Sequence, residues 1–463
     1  MATATQTLKH YTESFSGLEQ SRASRELSWL RKLRQDGFAR FGEVGFPSMR
    51  DEDWRFTNIA AIAQTRFRHA RSHRPLPGEK QIERYRTDGA QCQLVFVDGH
   101  FANELSSIGE LDDQVKVSGL AAQIAGDPAA LEPYLGQYLD LERDAFAALN
   151  TAFIEDGAFV HIGTGAVVRD PIFLLFVSTA HGAPVVTHPR NLIVVGARSQ
   201  ATIVEDYVSL DGGAAFSNAV TELVVGDDSV VSHYMIERED IEAYNVSTLR
   251  IEQGRNANVA SHSLLIGGAL VRNNVHPVLA GEGGECLING LYIGTGQQHL
   301  DNYMLVEHAS PHCSSRQFYN GILSQSAHGV FHGRIIVHKD AQKTDAKQTN
   351  RNLLLSDNAQ IDTKPQLEIY ADDVKCTHGA TIGQLEENAL FYLRARGIDE
   401  LSARRLLLAA FAGECLDRMQ PGPARTHAER LINQHLFHLA ESSPALARES
   451  QGLDRGRDLE EVG

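Results

Sequence analysis

Between residues 156 and 383 the chain is written in short runs of Val, Ile and Leu, broken by Gly, Asn and Asp at intervals of roughly ten residues. Runs of that length predict strands separated by turns, with no long helix among them. Three of them superpose: Asn191-Leu-Ile-Val-Val-Gly196, Thr221-Glu-Leu-Val-Val-Gly226 and Ser247-Thr-Leu-Arg-Ile-Glu-Gln-Gly254. The glycines that close them, Gly196, Gly226 and Gly254, follow at nearly equal spacing, and Gly281 continues the series. Further along, Asn320-Gly-Ile-Leu-Ser324 and Asn352-Leu-Leu-Leu-Ser356 match with a similar separation. Self-similarity at a period of about 30 residues predicts stacked coils that bury their apolar faces against one another, with aliphatics inward and glycine at the corners, as in a parallel β-helix. The alternation of Leu367, Ile369 and Ala371 with Glu368, Tyr370 and Asp372 shows only that one face is buried, which a β-sandwich satisfies equally. The repeat favours the solenoid.

The flanks have a different texture. Residues 1–155 read as helical and α+β: Leu27, Leu30 and Leu33 predict a helix stopping at Gly37, Gln93–Val97 a strand closed by Asp98-Gly99, and Glu142–Ala152 a second helix. After Gly383 the period becomes helical again. Glu386–Arg396 predicts a helix ended by Gly397; Asp399 caps the next, with Ala403, Leu407, Ala410 and Phe411 on one face up to Met419; Ile432, Leu436 and Leu439 form a third stripe. Residues 442–463 are polar and aperiodic, as expected of a disordered tail. Four regions result: 1–155, 156–383, 384–441 and 442–463.

Charge narrows the choice of partners. The 463 residues carry 43 Lys+Arg against 59 Asp+Glu, a formal net charge of −16, which argues against nucleic acid or an anionic membrane as a general partner. The longest apolar run, Ile172–Val177, is far too short to span a bilayer, and the amino terminus has neither a signal core nor an Arg-rich leader, so membrane insertion is not expected and the cytoplasm is. Five scattered cysteines without a CxxC pair predict reduced, mostly buried thiols. No GxxxxGK[ST], GxSxG or HExxH motif is present, which removes P-loop, nucleophile-elbow and zincin chemistry.

What remains is histidine and cysteine late in the solenoid: His308, His312, Cys313, His328, His332, His338, Cys376 and His378. Cys376-Thr377-His378 is the sharpest pair. Residues i and i+2 of a strand project to one face and set a thiol beside an imidazole, soft and borderline donors suited to iron or zinc. His312 and Cys313, being adjacent, face opposite ways. Two donors cannot close a four-ligand site, so another coil or a second chain must complete it. Glu368, Asp372 and Asp373 stand among lysines and read as a solvated face. In the second C-terminal helix, Leu406, Leu407, Leu408 and Phe411 give more apolar girth than one amphipathic face needs, which predicts a docking surface.

Longer motifs then become legible. Gly329-Val-Phe-His-Gly-Arg334, Ala341-Gln-Lys-Thr-Asp-Ala346, Asn352-Leu-Leu-Leu-Ser-Asp357, the stretch Asp362–Thr381 around Cys376 and His378, and Phe391-Tyr-Leu-Arg-Ala-Arg-Gly397 resemble the signature of the SufB/SufD family of the SUF iron-sulfur cluster assembly machinery. Phe46-Pro47, Asp51-Glu-Asp-Trp-Arg-Phe-Thr57 and Gly379 are similar to its SufD branch. The resemblance spans roughly residues 40–420. It implies a right-handed parallel β-helix with helical terminal regions, acting as a non-catalytic scaffold. It implies two partners, a SufB-like paralogue paired through the β-helix and a SufC-like ABC ATPase docked on the C-terminal helices; a SufD homodimer is the other assembly it allows. It implies a transient iron-sulfur cluster at an interchain site, built at His378 with Cys376 as auxiliary, and leaves open whether a reduced flavin joins the complex. The rival from another class, a β-helical carbohydrate-active lyase or isomerase, needs a cluster of catalytic charges that this sequence does not offer.

Overall fold

The computed structural model describes residues 2–22, 27–70, 76–180 and 182–441; the predicted tail, 442–463, lies outside them. Among the described residues, seventeen strands carry the architecture. In chain order they are β1 (Cys92–Val97), β2 (Ala158–Ile162), β3 (Ile172–Ser178), β4 (Arg190–Val195), β5 (Gln200–Ser209), β6 (Ala215–Val225), β7 (Val230–Arg238), β8 (Tyr244–Gln253) and β9 (Asn258–Leu265). They continue with β10 (Leu270–Leu279), β11 (Glu285–Gly294), β12 (His299–His308), β13 (Ser314–Leu323), β14 (His328–Val337), β15 (Asp345–Leu354), β16 (Gln360–Ile369) and β17 (Lys375–Gly383). Even-numbered strands build a front sheet and odd-numbered strands a back sheet, each in sequence order. Every pairing between successive members is parallel. The chain therefore winds from sheet to sheet as a parallel solenoid, and the sandwich alternative falls.

The predicted repeat is the winding itself. Coil length varies little between β4 and β17: the shortest coil sets Tyr244 opposite Leu270, and the longest sets His328 opposite Gln360. Thr221 stands opposite Asn191, and Gly226 donates its N–H to the Val195 carbonyl at 2.8 Å as Gly254 does to Val225 at 2.9 Å. These glycines stack where the coil leaves the sheet: a Cβ on Gly226 would come within 2.7 Å of the Ala197 nitrogen. The second superposition is displaced by one position. Asn320 faces Arg351, and Gly321 faces Asn352, because that coil is one residue shorter than the match of the two asparagines requires.

Period 2 divides each strand between a shared interior and an outer face. Ile203, Val231, Val259 and Ile288 of the back sheet meet Leu223, Ile251, Val271 and Leu300 of the front sheet inside the coils. The outer face of the front sheet is covered by the N-terminal region, where Trp54, Phe67 and Phe146 pack on Phe216, Val246 and Leu270. The outer face of the back sheet is covered by the C-terminal helices, whose Leu408, Phe411 and Ile432 pack on Tyr234, Leu264 and Ile322. Burial on this scale, at about 25 cal/mol per Å2 of apolar surface, holds both flanks to the solenoid.

Among the described residues, six longer helices flank the strands: α1 (Ala2–Arg22), α2 (Ser28–Val44), α3 (Ala145–Ala152), α4 (Glu387–Ala395), α5 (Glu400–Leu416) and α6 (Pro423–Glu441). Two expectations about the helices are corrected here. Gly37 does not stop a helix; α2 runs on to Val44, and Gly37 is the crossing point with α3, where a Cβ would lie 2.9 Å from the Ala148 carbonyl oxygen. The inward face of α5 is Ala403, Leu408, Phe411, Ala412, Cys415 and Leu416; Ala410 is exposed and Leu407 only half-buried. The strand Cys92–Val97, assigned to the amino-terminal region, pairs with β3 and begins the back sheet, so the ladder draws on residues from both sides of position 155.

Candidate functional site at the open end of the solenoid

β16 and β17 are the last strands of their sheets, and each has one edge with no neighbour among the described residues. In β17 every residue is exposed except Cys376, which is half-buried. Cys376 stands opposite Ala346 and His378 opposite Gln348, both buried on the interior side of β15. The two donors therefore share the inward-turned face, as i and i+2 predicted, at the mouth where the solenoid interior opens. Beneath His378 a polar column leads inward: Gln348 donates to the Gln317 side chain at 2.8 Å.

Their environments differ. Cys376 packs against the interior core, and burial pushes its thiol above the ordinary value, opposed by a backbone hydrogen bond at Ala346 and reinforced by the Asp345 carboxylate. In this chain by itself the sulfur is held protonated, and ionisation requires a cation or metal brought to the mouth. His378 is exposed and accessible to such a partner.

The other histidines and the remaining candidate cysteine serve the fold. His308, buried and lowered to about 4 by desolvation, meets the Ser315 hydroxyl at 2.8 Å. His328 contacts Asp362 at 2.8 Å, His332 contacts Gln366 at 2.7 Å, and His338 contacts Glu307 at 3.0 Å, all between neighbouring coils. Cys313 is buried with its sulfur 3.3 Å from the Gly281 carbonyl oxygen, and His312 is exposed beside Glu282. Among the described residues no three His, Cys, Asp or Glu side chains are grouped to hold a metal ion. Two of the carboxylates near the pair are occupied, Glu368 by Arg334 at 2.6 Å and Asp373 by Lys343, and Asp372 is exposed.

The predicted docking residues on α5 divide. Leu408 and Phe411 are buried against the back sheet, so they hold the helix to its own chain and are unavailable to a partner. Leu406 is 51% exposed. Sequence reasoning missed other exposed apolar residues on α4, β17 and the end of β16: Phe391 is 74% exposed, Tyr392 57%, and Ile382 and Tyr370 are exposed as well. Consecutive aromatics at 391 and 392 were the available signal, since one helix cannot turn both fully into one core.

Open strand edges, an inward donor pair too small to cage a metal and an apolar rim define a parallel β-solenoid that presents its final coil, with terminal helical regions covering its two faces. Family comparison agrees over residues 5–174 and 176–411. Residues 5–174 match the SufBD protein N-terminal region, and residues 176–411 match the SUF system FeS cluster assembly SufBD core domain; the chain belongs to this family of iron-sulfur cluster assembly proteins. It is 34% identical over 402 residues to an iron-sulfur cluster assembly SufBD family protein of Synechocystis sp., covering 85% of this chain and 88% of the relative. It is 29% identical to the iron-sulfur cluster assembly protein SufD of Escherichia coli over 85% of this chain and 90% of that protein. A third relative, the chloroplastic protein ABCI7 of Arabidopsis thaliana, is 29% identical over 87% of this chain and 86% of its own length. Among the described residues no helix is long and apolar enough to cross a membrane.

Proposed function

We propose that the chain is a SufD-type scaffold subunit that builds a nascent iron-sulfur cluster at its open end, together with a SufB-like paralogue and a SufC-like ABC ATPase. The observation that carries this reading is the placement of His378 and Cys376 on one inward face of a terminal strand with one free edge. Two donors are too few to retain a cluster, which suits a site that must release what it assembles, and the missing thiolates are then the paralogue's. The cluster is cargo here, and His378 offers an exposed imidazole nitrogen to it. Cys376 is auxiliary, its thiol ionising only when iron arrives.

ATPase docking falls to the exposed side of α4 and α5, with Leu406, Phe391 and Tyr392 in place of the buried Leu408 and Phe411. The test is His378→Ala in a cell that depends on this pathway. The complex should still co-purify while iron-sulfur enzymes fail to mature, and Cys376→Ala should give a milder defect. Full complementation, or failure that traces to loss of the complex, removes His378 from the site. A homodimer of this chain is the second reading, since the two free edges are as able to pair with a second copy; light scattering of the purified chain by itself decides it.

A further inference from the structure

On the outer face of the front sheet a cleft lies between the N-terminal region and strands β8, β10, β12 and β14. The cleft is open to solvent at its mouth and has about 80 Å3 of room inside. At roughly 10–15 Å3 per water position, that space suits a compound of several heavy atoms. Four arginines line it, Arg143, Arg250, Arg272 and Arg334, against three aspartates, Asp53, Asp140 and Asp144. His276 lies on the same floor with its Nε2 held by Glu307 at 2.6 Å.

The carboxylates on the same walls are engaged by the fold. Asp144 caps α3, accepting from the Phe146 and Ala147 N–H groups at 3.0 and 2.9 Å, and takes the Thr248 hydroxyl at 2.9 Å. Asp140 accepts from the Glu142 N–H at 3.1 Å, and Asp53 is hydrogen-bonded to Tyr303. Two of the arginines are wall material. Arg272 pairs with Asp301 at 2.5 Å and lies 3.8 Å from the Trp54 ring centre, and Arg334 is taken by Glu368.

The other two are under-used. Arg250 shares one terminal nitrogen with His276 at 2.8 Å and the other with Glu252 at 3.3 Å, and its Nε has no partner among the described residues. Arg143, with 68% of its side chain exposed at the mouth, reaches Asp140 only at 3.6 Å, beyond hydrogen-bond length. The wall itself is fixed in advance. Thr57 donates to Asp301 at 2.5 Å and Glu52 pairs with Lys364 at 2.8 Å, so the segment Asp51–Thr57 is strapped across the sheet before any ligand arrives.

We propose that this cleft binds a small multivalent oxyanion, a phosphate or carboxylate compound, between the guanidinium groups of Arg143 at the mouth and Arg250 at the floor. Each guanidinium is a planar fork that matches two oxygens of such a group, and the cleft offers two forks from separate elements. This site is remote from the role proposed for His378 and stands or falls independently of it.

The full-length chain is titrated by calorimetry with sodium phosphate, pyrophosphate and citrate at constant ionic strength set with chloride, with thermal melts in parallel. At least one of the three should bind once per chain, saturably, and raise the Tm, whereas chloride at the same ionic strength does not. Arg143→Gln should leave the ligand-free melt unchanged and weaken that binding at least tenfold. Arg250→Gln should weaken it further, and the distant Arg316→Gln should not alter it. Stronger binding of the phosphates than of citrate assigns the site to phosphorylated compounds, and the reverse order assigns it to carboxylic acids. Absence of saturable binding by all three, or binding that Arg143→Gln leaves intact, overturns the proposal even if Arg250→Gln fails to fold.

Discussion

The two ends of the solenoid are made of the same kind of strand and are finished in opposite ways. At the first end β3 is buried along its whole length. Its neighbour β1 is closed by the two-residue antiparallel strand His100–Phe101, and β2 by Val115–Gly119. Short antiparallel strands leave little unpaired backbone for another chain to find. At the last end β16 and β17 break off with ten and nine residues of unpaired edge; the side chains of β16 are mostly half-buried and those of β17 largely exposed. A long free edge is a template for strand addition, harmful in a monomer and useful in a subunit. Charge follows the same division: the ion pair Arg190–Glu222 near the first end has no exposure, whereas Lys343–Asp373 at the last end is more than half exposed on both sides. Stability is concentrated where the ladder begins, and unmet bonding capacity where it stops.

The largest expected effect attacks the stable end. Glu222 accepts from Arg190 at 2.6 Å and from the Gly136 N–H at 2.8 Å, and Arg190 in turn donates to Asn150 and Thr151 at 3.1 Å, which ties α3 to the sheet. Glu222→Ala strands a guanidinium in a dry site and should cost about 3–5 kcal/mol. The urea midpoint followed by circular dichroism measures it. A cost under about 1 kcal/mol would mean that the first end is not where the stability lies.

Acid should probe the same end less severely. Burial by itself would raise the Asp206 carboxyl, but Arg238 at 2.8 Å and His427 of α6 at 3.1 Å outweigh it and hold the group at about 2. A carboxyl depressed on folding adds stability above its unfolded value of about 3.9, and that share is lost as pH falls toward the folded value. The pair should be worth about 2 kcal/mol at neutral pH and fade between about pH 4 and pH 2. Melts of wild type and Asp206→Asn across that range should converge at the acid limit; parallel curves would show that the depressed carboxyl contributes nothing.

How far the sequence discloses this molecule depends on which forces set each feature. The solenoid was legible because coil length is imposed by stacking, and stacking forces Gly196, Gly226 and Gly254 into one column. The one-residue slip at Asn320 and Asn352 was not, since a turn gains or loses a residue without disturbing the strands it joins. The shared face of Cys376 and His378 follows from backbone geometry and needs no tertiary information. The raised thiol of Cys376 does need it, because it comes from packing on Ala346 and the interior core. Leu406-Leu407-Leu408 has no period, so only the position of the back sheet decides that Leu408 turns inward and Leu406 outward. The cleft of Arg143 and Arg250 joins residues far apart in the chain, and no spacing announces it.

The smallest expected effect on the isolated chain falls at the open end, and it separates the chain's own stability from its need for company. The Lys375 N–H donates inward to the Thr344 carbonyl at 2.8 Å. Strand periodicity then turns the N–H groups of Thr377, Gly379 and Thr381 toward β15 and those of Cys376, His378, Ala380 and Ile382 toward the free edge. Ala380→Pro removes a donor that the ladder within the chain does not use, and the extended Gly379 before it tolerates a following proline. The isolated chain should lose less than about 1 kcal/mol. Thr381→Pro, one residue on, cuts the inner ladder and should cost about 3 kcal/mol. In pairing, the order reverses in importance: Ala380→Pro should reduce co-purification with a SufB-like chain, or self-association, at least tenfold, because an added strand meets a missing donor and a ring in its path. Equal thermal losses from the two prolines, or a complex indifferent to Ala380→Pro, would show that the edge of β17 is not where the partner adds.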